Sequence, residues 1–276
     1  MTDDPIALDL NVDAALLLRE LTGIDDYPEV LALMPNIFRL EDRERVSAFL
    51  MPQLSDIGVL GDHGEVHPVV QAWLHCLDGP DVELAARIID FDEPGKPGAM
   101  LRLSLARRGT IHVLALRNDD HVVIQPVFTE SERLDPIAAA LGAVLGSAHV
   151  PAFEPLTAAA EDLSAVPADP MTRRSALCAL GASSSTAAVL TRAMDGIVRR
   201  AEIVMIEHVD GLTAPPEVCL SVLDTVEGRL VVVPATALDG QVRSTYMPGD
   251  DAALRAGVRA LVDLLPGGSW FEASRE

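Results

Sequence analysis

Thirty residues, Ala99–Phe128 (AMLRLSLARRGTIHVLALRNDDHVVIQPVF), set the narrowest limits on what this chain can fold into, because they read as three strands in succession. Leu101, Leu103 and Leu105 alternate with Arg102, Ser104 and Ala106, the period of a strand with one buried face. Arg107-Arg108-Gly109 predicts a turn, since glycine tolerates positive φ. Ile111–Leu116 is apolar on both faces, as a central strand is. After a turn at Asn118-Asp119-Asp120, His121–Phe128 carries Pro126, which has no donor for a central ladder, so that strand is expected at an edge or ending.

A second block follows at an offset of 119 residues. Leu220-Ser221-Val222 matches Leu101-Arg102-Leu103, and Gly228 matches Gly109. Upstream, Asp81–Phe91 and Arg200–His208 keep the offset, with Glu83 over Glu202. The order of helices, strands and a closing helix repeats. The pattern predicts a duplicated α+β unit, although two unrelated α+β units in succession would look similar at this level of identity.

With 276 residues, the chain can bury roughly three quarters of its unfolded surface. Its 49% hydrophobic content and formal charge of −21 describe a soluble acidic globule and disfavour nucleic acid and anionic membranes as partners. Lys96 is the one lysine; the other basic residues are arginines. Cys76, Cys178 and Cys219 are odd in number, far apart and set among apolar residues, which predicts three reduced, largely buried thiols. The acidic start lacks the pattern of a signal peptide, and no apolar run is long enough for a membrane span.

Along the chain, Ile6, Leu8 and Leu10 alternate as a first strand. Asp13 is expected to cap a helix ending at Gly23. Glu41–Asp56 predicts a helix with Val46, Phe49 and Leu50 on its buried stripe, an Glu41–Arg45 pair, and a kink or early end at Pro52. Further helices are predicted at Pro68–Leu77, Leu134–Leu145, Thr157–Val166, Met171–Leu180 after Asp169-Pro170, from Ser183 onward, and at Asp250–Leu265. Ala187, Leu190, Met194 and Ile197 form one stripe on the Ser183 helix. Asp239-Gly240 predicts a hairpin turn.

Chemistry is sparse. His63-x-Glu65-x-His67 resembles a metal site but lacks a third well-spaced ligand, so no metal or other cofactor is expected. Gly58, Gly61 and Gly64 lack the Gly-Lys-Ser/Thr ending of a phosphate loop. Ser183-Ser184-Ser185 suits helix capping rather than a nucleophile, there being no G-x-S-x-G. Met171–Val198, with Arg173, Arg174, Arg192, Arg199 and Arg200 at or near it, admits a helix-turn-helix.

Two stretches resemble the EspG family. Leu54–Leu74 (LSDIGVLGDHGEVHPVVQAWL) shares a helix ending in Gly-Val-Leu, a glycine turn, Val-x-Pro and a run to Trp-Leu. The C-terminal third shares Leu-Asp-Thr-x-x-Gly-Arg, Ser-Thr-aromatic-x-Pro-Gly and the closing Leu-Pro-x-Gly-x-Trp-Phe, and Ala115-Leu116-Arg117-Asn118 is a shorter match. The resemblance spans Ile6–Phe271 and no motif in it is catalytic. It implies an α+β fold with a quasi-two-fold antiparallel sheet flanked by two helical bundles. It also implies one domain of two pseudo-repeats, about 1–149 and 150–276, and a cytosolic, non-enzymatic chaperone of an ESX type VII secretion system.

The implied client is a PE–PPE heterodimer, held at the apolar helical tip of its PPE protein; the secretion machinery is met only indirectly, and a homodimer of the free chain is compatible with the reading. Contacts are implied for the loop after the second strand, for the C-terminal bundle and for the second-half sheet. By position these are Asp92–Gly98, with Asp92, Glu93 and Lys96; Met171–Val198; and Glu217–Val233. Leu190 and Met194 are expected to turn part of their stripe outward, with Glu217 at the rim and Val233 closing the sheet segment. Tyr246-Met-Pro-Gly-Asp250 matches the YxxxD export signal of the pathway's secreted substrates but stands at a strand–helix junction, so export of this chain is not expected. The rival reading is a ligand-sensing transcriptional regulator that uses residues 171–198 on DNA; a hydrolase has no constellation behind it.

Overall fold

The computed structural model describes residues 4–93, 95–127, 132–208, 218–237 and 240–274. In chain order the elements are β1 (Leu8–Asn11), α1 (Val12–Thr22), a 3₁₀ turn (Glu29–Leu31), α2 (Leu40–Asp56), α3 (Pro68–Asp78), β2 (Val82–Glu93), β3 (Lys96–Arg108), β4 (Ile111–Asn118), β5 (His121–Pro126) and α4 (Asp135–Leu145). Then come β6 (Leu156–Ala159), α5 (Ala160–Ser164), α6 (Pro170–Ala179), α7 (Ser184–Asp195), β7 (Ile197–Glu207), β8 (Leu220–Thr225), β9 (Gly228–Thr236), β10 (Val242–Pro248) and α8 (Asp251–Asp263). No helix among the described residues is long and apolar enough to cross a membrane.

The ten strands found among the described residues join one antiparallel sheet in the order β1-β5-β4-β3-β2-β7-β8-β9-β10-β6. Outward from the central β2–β7 pair, the left side reads β3, β4, β5, β1 and the right side β8, β9, β10, β6. This is the quasi-two-fold arrangement expected from the repeated strand blocks. The alignment shifts by two residues at one turn. Arg108 pairs with Ile111 and Thr225 with Gly228, so Gly228 takes the place of Ile111 rather than of Gly109. A two-residue shift keeps every side chain on its face, which is why the apolar pattern still matched.

Alternation along each strand divides the apolar residues between the two faces. On one face α1–α3 cover the left half, where Leu18, Trp73 and Leu74 pack with Ala106, Val113 and Ile124. On the same face α6 and α7 cover the right half, with Leu177, Ala187 and Leu190 against Leu223 and Leu230. The opposite face carries α4 and α8, with Ile137, Leu141, Leu254 and Val258 over Leu84, Leu103, Ile203 and Val222.

The caps at Ser183, Asp169 and Asp250 form as expected, each side chain accepting from the backbone N–H three residues on. Several local expectations are corrected. Asn11, not Asp13, caps α1, its side chain accepting from Ala14 N at 2.8 Å. Pro52 sits inside an α2 that runs on to Asp56, and Phe49 is exposed, so the buried stripe narrows to Leu50 and Leu54. The α2 ion pair is Asp42–Arg45 rather than Glu41–Arg45. Residues 156–159 form edge strand β6, hydrogen-bonded to β10, where a helix was expected. β5 ends at Pro126 but is not the edge, because β1 pairs outside it. Arg107 lies within β3, buried beside Asp81 at 3.3 Å, so the turn is Gly109-Thr110. Cys76 is buried and burial pushes its thiol up to about 12, whereas Cys178 and Cys219 are exposed. The hairpin turn expected at Asp239-Gly240 lies partly outside the described residues.

The segment after α8 returns to the sheet. Trp270 is fully buried and its Nε1 donates to His112 Nε2 at 3.0 Å. Indole can only donate, so Nε2 is the acceptor and the imidazole proton sits on Nδ1, 3.3 Å from the Thr110 carbonyl. Burial holds His112 below the ordinary histidine value. A second proton would have to occupy the nitrogen that accepts from Trp270. The unfolded chain therefore binds a proton that the folded chain does not between the ordinary value, about 6.5, and the lower folded one. Stability is expected to be full above pH 6.5 and to fall as the pH drops below it. Urea midpoints at pH 7.5 and 5.5 check this, with a smaller drop expected for His112→Gln, whose amide oxygen can still accept from Trp270.

Candidate functional site

The two bundles leave a strip of sheet between them where β2 meets β7. Glu83, Ala85 and Arg87 of β2 stand on this strip opposite Ile206, Val204 and Glu202 of β7. Val204 and Ile206 are half-buried and Arg87 is exposed. With Tyr27–Val30 as a wall, they bound a groove of about 410 Å³.

Two arginines hold that wall in place. Arg102 Nη1 donates to the Val30 carbonyl at 3.2 Å, and Arg117 Nη1 to the carbonyls of Leu31, at 2.8 Å, and Ala32. Both project from the bundle face of β3 and β4, so the alternation that buries Leu103 and Leu105 opposite also aims these guanidinium groups at the turn. Tyr27 anchors the other end, its hydroxyl donating to the Ala15 carbonyl at 2.8 Å. Burial raises that phenol well above its ordinary value, so it stays neutral.

The groove combines aliphatic floor with charge. Arg200 pairs with Glu202 at 2.5 Å, and Glu83 Oε2 lies 3.6 Å from His208 Nε2, too long for a hydrogen bond. Such a surface suits holding another chain. At the His63 turn, Glu65 accepts from His63 N at 3.0 Å and His67 Nδ1 accepts from Val69 N at 3.3 Å, capping α3. Among the described residues no three histidine, cysteine or acidic groups gather as a metal would require.

The expected partner residues do not converge. Asp92 and Glu93 end β2 and Lys96 opens β3, with Glu93 facing Lys96 across a hairpin tip. The expected loop 92–98 is thus mostly strand, an exposed arm whose Pro94 lies outside the described residues. Leu190 is fully buried in the chain's own core under α7, which corrects the expectation that it faces outward. Met194, one turn on, is half-buried. Val233 packs with Met247 on the α4–α8 face, so the sheet separates it from α7. Glu217 lies outside the described residues. Sequence reasoning missed the groove residues Arg87, Glu202, Val204 and Ile206. Their signal is one face of RAEIVMIEH that mixes charge with aliphatics instead of choosing between them.

The arginines of the helix-turn-helix reading are engaged. Arg173 is buried, bonding Asp195 and the carbonyls of Pro167, Ala168 and Thr191. Arg174 reaches Ser184, Arg192 reaches Glu227 and Arg199 reaches Asp90. Each of these partners competes with a phosphate for the guanidinium group. Tyr246 lies in β10 and Asp250 caps α8, so this YxxxD match is structural.

The model of the EspG family matches residues 11–260. The ESX-1 secretion-associated protein EspG1 of Mycobacterium marinum is 31% identical over 271 residues, which cover 98% of this chain and 92% of that protein. The ESX-3 secretion-associated protein EspG3 of Mycolicibacterium smegmatis is 33% identical over 276 residues, covering 97% and 90%. Among solved structures, the Mycobacterium tuberculosis type VII secretion system chaperone EspG5, in complex with a PE25–PPE41 dimer, superposes with a TM-score of 0.79 at 20% identity, over 97% of this chain and 100% of that one.

Proposed function

The chain belongs to the EspG family, and from that premise we propose that it is a cytosolic, non-enzymatic chaperone that binds a PE–PPE heterodimer by the apolar tip of the PPE protein and directs it to an ESX type VII secretion system. The observation that carries this reading is the strip between the bundles, where Val204 and Ile206, half-buried at the margin of the left-half core, line the groove beside charged residues. An apolar helical tip exposed in the cell drives aggregation, and a groove of this composition covers it. The formal charge of −21 keeps the assembly soluble. In this reading the two pseudo-repeats, about 1–149 and 150–276, act as one domain, which the sheet shared by both supports. No groove residue has the nucleophile–base pairing of acyl or phosphoryl chemistry.

The test is co-expression with PE–PPE pairs, followed by affinity capture and size exclusion. A 1:1:1 complex is expected. Val204→Asp and Ile206→Asp each put a carboxylate into the groove's apolar floor and are expected to weaken capture at least about tenfold, or about 1.4 kcal/mol. Melting of each free variant separates lost binding from lost folding. Variants that melt like wild type yet capture the pair at full yield would remove the groove from the interface. Binding to duplex DNA with a steep salt dependence would instead support the regulator.

A further inference from the structure

We propose that Glu83 makes the groove selective for a partner tip that carries a basic side chain, arginine or lysine, which its carboxylate receives. This rests on the reading of the groove as the client site. Glu83 lines the groove and is only 4% exposed. Its Oε1 has no hydrogen-bond partner among the described residues, and Oε2 stands 3.6 Å from His208 Nε2, itself without a hydrogen-bond partner there. Buried polar groups are nearly always satisfied, so an acid held in this state asks for a reason.

Among the described residues no neighbouring group donates a hydrogen bond to Glu83, and His208 approaches only to ion-pair distance. Asp78 faces the same groove but is occupied, accepting from the backbone N–H groups of Asp25 and Asp26 at 3.0 Å each. Glu202 is paired with Arg200. Arg87 lines the groove but stands in register with Glu202, and Glu83 is opposite Ile206, which offers no donor. In all, five carboxylates line the groove against one arginine and one histidine. The balance favours a cation, and Glu83 is the buried carboxylate of the five, its Oε1 without a hydrogen-bond partner among the described residues.

The free chain already carries the desolvation penalty of Glu83. A cationic donor arriving with the client gains a charge-assisted hydrogen bond against a site prepared for it. A tip with an apolar residue at that point leaves the carboxylate unpaired and forgoes that bond, and this difference is the source of discrimination.

The experiment has two arms. With a captured PE–PPE pair, Glu83→Gln is combined with Gln substitutions of each arginine and lysine in the PPE tip, and dissociation constants are measured for every corner of the cycle. Glu83→Gln is expected to weaken binding about tenfold, and one tip substitution is expected to cost nothing further in that background. Wild-type affinity for Glu83→Gln, with all tip substitutions additive, overturns the inference and leaves the chaperone reading standing. If Glu83→Gln melts early, the tip substitutions measured against the wild-type chain decide: one of them must weaken binding about tenfold. If no pair is captured, the chaperone reading fails and the second arm decides. Ethylguanidinium, propylammonium and neutral ethylurea are titrated into the free chain while the Glu83 carboxyl carbon resonance is followed. A saturable shift with a cation and none with the urea supports the inference; no shift with any probe overturns it.

Discussion

Arg229→Met is expected to destabilise the chain by about 3–5 kcal/mol, the range for removing one member of a buried ion pair. Arg229 is 4% exposed and binds Asp224 through two bonds, Nε to Oδ1 at 2.6 Å and Nη2 to Oδ2 at 2.9 Å. It also donates to the carbonyls of Leu145 and Gly146, at 3.0 and 2.8 Å. Those carbonyls belong to the end of α4, where helical partners run out, so β9 of one half supplies the cap for the closing helix of the other. Methionine fills the volume but leaves Asp224 and both carbonyls without these bonds. Urea denaturation checks the loss. Arg192→Met, which breaks an exposed pair with Glu227, is expected to leave the midpoint near that of wild type.

Trp270→Ala is expected to cost a similar amount, about 3–5 kcal/mol, by emptying a fully buried site. Loss of the donor to His112 adds to the cavity. Trp270→Phe keeps most of the ring volume and should cost clearly less. Both are read by chemical denaturation at pH 7.5, and equal midpoints for the two variants would show that the hydrogen bond, not the volume, is what matters.

The run of strands from Leu101 was legible because period-2 alternation over Leu101–Leu105 has no helical equivalent and Ile111–Leu116 is a short apolar run bounded by turns. Capping was legible at Asp169, Ser183 and Asp250 because it is settled within four residues. Some misses were local, such as Asn11 in place of Asp13 as the α1 cap, but the larger ones depend on a neighbour far along the chain. Thr157–Ala159 has helix-compatible residues, but β10 offers an open ladder, and Thr157 bonds Thr245 across it at 2.8 Å. Leu190 looked surplus on its helix until Leu223 and Leu230 came under it. Val233 and Val232 are adjacent in sequence and on opposite faces of the sheet. Most of the groove's character was hidden in the same way: Arg87 and Glu202 meet only because the halves join at β2 and β7.

That junction also sets an order of events during synthesis. Val82 pairs with Glu207 and Asp90 with Arg199, partners more than a hundred residues apart. A chain leaving the ribosome amino end first can assemble β1 to β5, yet one long edge of β2 has no strand beside it until β7 emerges. Open edges of this length recruit whatever strand is near. For that interval the nascent protein presents an unpaired edge of nine residues, Val82–Asp90.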